Sequence, residues 1–281
     1  MVMILFGHIC GRYHESVWFS PFACTGVALF LLLSGYGNNE SFLKKGFFSL
    51  KKILRLAIPY WILYTIRLLF QDEVSFTSIL QNILFIKTDY WFVGYIVKWY
   101  IVFWIATSFC YSSRWILYIV FALISFVFFQ PLESEQSLSF IFGVFLSERK
   151  KSILTLKEKA LDYSALVLFI IASLVLLVKQ MPCIRSNDLL MRCVQLLIKL
   201  PYAISILVLL RRMRLFRTNP IFLFLAPFTY ELYLIQMLFL DYISTSSAIA
   251  ALFTTLVVLI LSVTIAWGFN RLNRVLLQRI R

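Results

Sequence analysis

The sequence predicts an all-α integral membrane protein, a bundle of about ten transmembrane helices. Of the 281 residues, 61% are hydrophobic and 14% are charged, so polar surface is too scarce to cover a globule in water. Apolar runs long enough to cross a bilayer recur along the chain, and they are continuous rather than alternating. This composition excludes an ordinary water-soluble enzyme, a disordered chain and a nucleic-acid binder.

The apolar runs give the order of the predicted helices along the chain. Short charged loops separate them. The run at 138–146 is too short to cross a bilayer, so we expect it to be re-entrant or packed inside the bundle. The predicted spans lie near 1–13, 17–37, 54–70, 90–110, 115–130, 138–146, 163–178, 193–210, 220–240 and 248–269.

Basic residues predict the orientation of the bundle. The net charge is +14, with 27 Lys and Arg against 13 Asp and Glu. The cations concentrate in the loops 44–52, 149–159 and 211–217 and in the C-terminal tail. With ten spans these segments all lie on one side, which the positive-inside rule assigns to the cytoplasm. We therefore expect a multi-pass protein of the plasma (inner) membrane with both termini in the cytoplasm.

Two histidines are candidates for proton transfer. His8 lies in an apolar run, where a histidine is either a packed core residue or a general base that exchanges a proton near neutral pH. His14 is expected in a solvated loop. The two do not suggest a metal site, because no carboxylate cluster accompanies them.

Charged residues near or inside the predicted spans are further candidates. Lys52 and Arg55 lie one helical turn apart, where they either bind phosphate groups or anchor the helix at the cytoplasmic surface. Glu231 lies in the middle of a span and is expected to pair with a cation such as Lys199 or Arg67. That pair is either structural or a contact to substrate.

Several motifs occur in a fixed order along the chain. Ser34-Gly35-Tyr36 ends an apolar run, where glycine allows a close helix approach and a turn. The other motifs are Gly7-His8, the segment Arg55-Leu56-Ala57-Ile58-Pro59-Tyr60, Trp91-Phe92-Val93, and Thr229-Tyr230-Glu231-Leu232-Tyr233-Leu234-Ile235-Gln236. In this order the motifs resemble membrane-bound acyltransferase family 3, which includes O-acetyltransferases of polysaccharide and lipopolysaccharide. The resemblance covers nearly the whole chain and implies a single domain over residues 1–281.

The resemblance implies an O-acyltransferase that moves an acyl group, expected to be acetyl, from acyl-CoA to a sugar hydroxyl of a cell-surface polysaccharide or lipid-linked glycan. It implies no bound cofactor, because acyl-CoA is the donor substrate, and its partners are acyl-CoA, the glycan acceptor and the bilayer. His8 would be the catalytic base. Donor-binding residues would be Lys52, Arg55 and Tyr60, and structural or substrate residues would be Ser34, Tyr36, Trp91 and Glu231.

Two features depart from the family pattern. Gln236 occupies the position where the family often has a late histidine. The family also carries an arginine about ten residues before the first-span histidine, which here would precede Met1. A run at 1–13 is shorter than a full span, so we expect the first helix to be truncated at its N-terminus. A polytopic transporter or flippase of glycans or lipid-linked intermediates is the alternative function.

Overall fold

The computed structural model describes residues 3–4, 7–8, 20–69, 74–213, 219–240, 243 and 248–279. Within these ranges the protein is helical, without a β-strand. The principal helices are α1 (Ser20–Lys45), α2 (Lys51–Leu68), α3 (Phe76–Ile83), α4 (Trp91–Ser108), α5 (Arg114–Phe128), α6 (Ser139–Glu148), α7 (Glu158–Val178), α8 (Asp188–Arg212), α9 (Pro220–Leu225), α10 (Thr229–Phe239) and α11 (Ala248–Arg279). Short helices occupy Pro131–Ser134, Lys150–Leu154 and Pro182–Arg185. The all-α prediction is confirmed.

Six helical segments in the described ranges are long and apolar enough to cross a membrane. They are Trp91–Ser108, Tyr111–Phe128, Glu158–Val178, Asp188–Arg212, Pro220–Phe239 and Phe253–Leu276. A chain with this many spanning segments is a multi-pass membrane protein. The total of about ten spans stays a prediction, and the predicted span at 1–13 falls almost entirely outside the described residues.

The chain forms two compact units. The first unit comprises Met1–Ala23, Ser49–Lys98 and Thr218–Arg281, and the second comprises Cys24–Phe48 and Trp99–Arg217. The single domain expected over 1–281 stays a prediction, and the two units are described in turn.

In the first unit, α11 packs against α10 and α2. The Tyr230 hydroxyl donates to the Leu56 carbonyl oxygen over 2.7 Å and links α10 to α2. The span predicted over 220–240 is found as Pro220–Phe239. A 3₁₀ turn over Ala226–Phe228 interrupts it and separates α9 from α10. Pro227 lies in that turn, and its ring and missing N–H oppose a continuous α-helix.

In the second unit, α6 is a short, buried helix. Ten residues of helix are about 15 Å long, half the thickness of the hydrocarbon core. Phe140 and Val144 are fully buried, and the Phe140 ring stacks on Trp99 of α4 at 5.1 Å. The expectation that this segment packs inside the bundle is confirmed by that burial.

Two long helices of the second unit, α7 and α8, pack against each other. Hydrogen bonds of polar side chains link the two helices. The Ser205 hydroxyl donates to the Ala165 carbonyl oxygen over 2.9 Å, and the hydroxyls of Ser173 and Tyr202 lie 2.9 Å apart. Both helices are mostly exposed: only 11% of the apolar span of α7 and 22% of that of α8 are buried. Exposed apolar faces of this extent suit contact with lipid chains.

Candidate active site

His8 lies beside α10 within the first unit. Its Nδ1 is 3.3 Å from Nε2 of Gln236, and its ring centroid is 6.3 Å from that of Tyr233. Gln236 is fully buried and Tyr233 is 3% exposed. Residues three positions apart share one face of a helix, so both side chains meet His8 from the same side of α10. The histidine therefore has a polar and an aromatic neighbour, rather than aliphatic side chains alone.

An aromatic cluster extends from the neighbourhood of His8 towards α2, and we define it as Tyr60, Tyr90, Phe92 and Tyr233. The Tyr233 ring packs edge-on against Phe92 at 5.5 Å and against Tyr90 at 6.4 Å. Tyr90 in turn packs edge-on against Tyr60 at 5.9 Å. All four side chains are at most 3% exposed. The cluster therefore forms a buried aromatic wall on the Tyr233 side of the His8 neighbourhood.

The hydroxyl of Tyr60, a predicted donor-binding residue, makes a hydrogen bond within the protein. It donates to Oδ1 of Asn82 over 2.7 Å, and the same oxygen accepts from the backbone N–H of Asp89 over 3.0 Å. Asn82 belongs to α3 and is itself buried. In this arrangement the phenol joins α2 to α3, and the ring contributes to the aromatic cluster.

Glu231 is buried at 5% exposure on α10, and its partners are amides. Its Oε1 accepts from Nδ2 of Asn270 over 2.8 Å and lies 3.5 Å from Nδ2 of Asn273. The predicted pairing with Lys199 or Arg67 is wrong. Those two cations have other carboxylate partners in the structure: Lys199 pairs with Glu135, and Arg67 lies 3.2 Å from Asp89. Amide donors can satisfy a buried carboxylate through hydrogen bonds alone.

The two predicted phosphate-binding cations lie in the first turns of α2. Lys52 is partly buried and Arg55 is exposed. Arg55 precedes Leu56, whose carbonyl oxygen receives the Tyr230 hydroxyl, and Tyr230 precedes Glu231. Within the first unit, Arg55 therefore lies close to the junction of α2 and α10.

Trp91 begins α4 and is partly buried. Its ring packs edge-on against Phe92 at 6.0 Å, so it adjoins the aromatic cluster through a sequence neighbour.

Ser34 and Tyr36 belong to the second unit, whereas the other predicted site residues belong to the first. Between them, Gly35 lies against α6 so closely that a Cβ on it would meet the Phe140 carbonyl oxygen at 2.1 Å. The expected close helix approach is therefore correct. The expected helix end is wrong, because α1 continues through the motif to Lys45. Without a side chain in the way, glycine lets the two backbones touch while the helix remains intact.

Sequence reasoning missed several residues of the site. It assigns no role to Gln236 or Tyr233, which appear only as members of a motif, or to Tyr90, Asn82 and Asn270. A usable signal exists for one pair only: Tyr233 and Gln236 have the i, i+3 spacing that places side chains on one helix face. No group of three His, Cys, Asp or Glu side chains suited to a metal ion occurs in the described ranges.

The fold and the site define a class: an all-helical, multi-pass membrane protein in which a partly buried imidazole meets a buried amide beside an aromatic cluster. The acyltransferase domain of acyltransferase family 3 matches residues 1–271, and the chain therefore belongs to that family. It is a membrane acyltransferase that transfers groups other than aminoacyl groups. Neither the curated proteins nor the solved structures include a significant match to the chain.

Proposed function

We propose that the protein is an O-acyltransferase of the plasma membrane that moves an acetyl group from acetyl-CoA to a sugar hydroxyl of a cell-surface polysaccharide or a lipid-linked glycan. Membership of the family supports acyl transfer. The single observation that carries the site is the pairing of His8 with the buried Gln236 amide at 3.3 Å, beside the aromatic cluster. An oriented imidazole is the side chain best suited to exchange a proton near neutral pH.

The proposed reaction is a single acyl transfer. His8 accepts the proton of the acceptor hydroxyl as its oxygen attacks the thioester carbonyl carbon. The new carbon–oxygen bond gives a tetrahedral intermediate, which collapses with cleavage of the carbon–sulfur bond. The sulfur leaves as the thiolate of coenzyme A and takes the proton back from His8. The products are the O-acyl ester and free coenzyme A, and the histidine is regenerated.

The aromatic cluster suits a transferase rather than a thioesterase. Tyr90 and Phe92 are 2% exposed and Tyr233 is 3% exposed, so side chains rather than water occupy this part of the site. Excluding water protects the thioester from hydrolysis before the sugar hydroxyl arrives. In this proposal Trp91 extends the same apolar wall, and Glu231 either contacts the acceptor or holds α10 against α11.

Donor binding is proposed at the start of α2. Lys52 and Arg55 lie one turn apart and would hold the phosphates of coenzyme A, with Tyr60 deeper along the same helix. This arrangement follows the positive-inside orientation, with both termini and the basic loops in the cytoplasm, where acyl-CoA is made.

The donor side is tested with Arg55→Ala. We expect a KM for acetyl-CoA raised about fivefold or more and a kcat within about twofold, because a lost phosphate contact weakens binding rather than chemistry. Arg211→Ala, an equally exposed cation at the end of α8, serves as the control and should leave both constants unchanged. Identical donor saturation curves for the two variants would reduce Arg55 to a membrane anchor.

The catalytic base is tested in cells. A strain lacking the gene is complemented with the wild type, His8→Ala or His14→Ala. The masses of its surface glycans are then measured by mass spectrometry. We expect the acetyl increment to return with the wild type and with His14→Ala and to be absent with His8→Ala, at equal amounts of membrane-inserted protein. Full acetylation by the His8→Ala protein would remove His8 from the mechanism.

A further inference from the structure

Gln236 is the buried polar neighbour of His8. Its side chain has no exposure, its Nε2 is 3.3 Å from Nδ1 of His8, and its Oε1 has no hydrogen-bond partner among the described residues. A neutral imidazole carries one N–H, so the nitrogen that pairs with the amide decides which nitrogen is basic. The orientation of this amide therefore bears directly on the chemistry.

The amide has two orientations of equal volume, related by a half turn about its terminal bond. If the NH₂ group donates to Nδ1, then Nε2 of His8 holds the proton and cannot accept another. If the amide oxygen faces Nδ1, then Nδ1 holds the proton and Nε2 carries the basic lone pair. After the half turn Nε2, instead of Oε1, is the amide atom without a partner among the described residues, so the number of unpaired atoms stays the same. Each tautomer has one basic nitrogen, but only the second orientation places it at Nε2, on the side of the ring away from the amide.

We infer that Gln236 is a positioning residue for His8: its amide oxygen accepts the Nδ1 proton and fixes Nε2 as the basic nitrogen. This inference rests on the proposed function, in which His8 accepts the hydroxyl proton. The task requires an acceptor oxygen at Nδ1, and the amide supplies one without adding a buried charge. The contact joins residues 228 positions apart and fixes His8 to α10.

The test separates orientation from structure with three variants of the full-length protein in membranes. Gln236→Met keeps the volume and removes the hydrogen bond. Gln236→Glu keeps an acceptor oxygen and removes the NH₂ donors. Gln136→Met makes the same change at a glutamine of the second unit that is 1% exposed and whose amide donates to the Cys24 carbonyl oxygen over 3.2 Å. Transfer of labelled acetyl from acetyl-CoA to the glycan fraction gives kcat and KM.

We expect Gln236→Met to lower kcat about 10- to 100-fold with the KM for acetyl-CoA within about twofold, as for one lost buried hydrogen bond in the transition state. Gln236→Glu should recover kcat to within about fivefold of the wild type. Gln136→Met should alter the amount of folded protein but leave the kcat of each folded molecule unchanged.

Two results would overturn the inference. A wild-type kcat in Gln236→Met shows that the hydrogen bond has no catalytic effect. A loss in Gln236→Glu as large as in Gln236→Met shows that NH₂ donation, rather than acceptance of the Nδ1 proton, is required. Failure of the proposed function itself gives a different result: His8→Ala then transfers acetyl as well as the wild type, or the wild type transfers none from acetyl-CoA.

Discussion

Substitution of Gly143 by alanine tests the packing of the buried helix α6 against α1. A Cβ on Gly143 would lie 1.9 Å from the carbonyl oxygen of Leu32 and 2.9 Å from the backbone nitrogen of Tyr36. Both atoms are backbone, so no side chain can rotate to make room. The same interface excludes a Cβ on Gly35, which would lie 2.1 Å from the Phe140 carbonyl oxygen.

The cost follows from this geometry. An ordinary contact begins at 3.4 Å, so the added methyl at 1.9 Å from oxygen forces the helices about 1.5 Å apart. Overpacking of this kind costs about 1–3 kcal/mol, and the upper end applies because the obstacle is backbone. The better helix propensity of alanine returns about 1 kcal/mol. We therefore expect Gly143→Ala to lower the free energy of unfolding by about 2 kcal/mol.

The assay is thermal unfolding in detergent, with Gly37→Ala as the matched control. Among the residues that the structure describes, none comes within 4 Å of a Cβ at Gly37, which is on the same helix as Gly35. A loss of about 2 kcal/mol lowers Tm by about 4–8 °C in a unit of this size. Gly37→Ala should leave Tm unchanged or raise it. Equal Tm values for Gly143→Ala and Gly37→Ala would refute the close approach of α1 and α6.

Two further predictions concern ion pairs of the second unit. Lys199→Met should destabilise the protein by about 3–5 kcal/mol, because it leaves the buried carboxylate of Glu135 without its cation. The double variant Lys199→Met/Glu135→Met should regain most of that loss in the same unfolding assay. If the double variant is no more stable than Lys199→Met, the pairing is contradicted. The Lys150 ammonium, 2.7 Å away, lowers the pKa of Glu40 below its usual 4.5. This pair therefore stabilises the protein above about pH 4.5 and loses its effect as the pH falls through the lowered pKa. Glu40→Gln should therefore reduce the fall in Tm below about pH 4.5. If the fall in Tm is the same as in the wild type, other groups cause it.

The sequence predicts the helices well wherever hydropathy decides. The helix α4 begins and ends within two residues of the expected span, because its long apolar run is interrupted by a single charge, Lys98, and follows the polar residues Thr88 and Asp89. The extension of α1 beyond Gly37 was missed, since a glycine that ends a helix and a glycine that admits a neighbouring helix look alike in sequence. Only the position of α6 distinguishes them.

The site was harder to predict than the fold. The resemblance of motifs identified His8 and the family, but the side chains that meet His8 come from the other end of the chain. The partner of Glu231 was also wrong, because electrostatic reasoning favours a cation, whereas the structure supplies the amides of Asn270 and Asn273. Which buried polar groups meet depends on how the helices pack, and one sequence carries no direct record of that.

Following the acetyl group itself tests the proposed transfer most directly. Membranes containing the wild-type protein are incubated with acetyl-CoA labelled in the acetyl carbon, and released thiol and alkali-labile label in the glycan fraction are both counted. We expect one labelled ester for each thiol released, and neither product above background with the His8→Ala protein. Release of thiol without labelled glycan, or equal labelling by the His8→Ala protein, would contradict it.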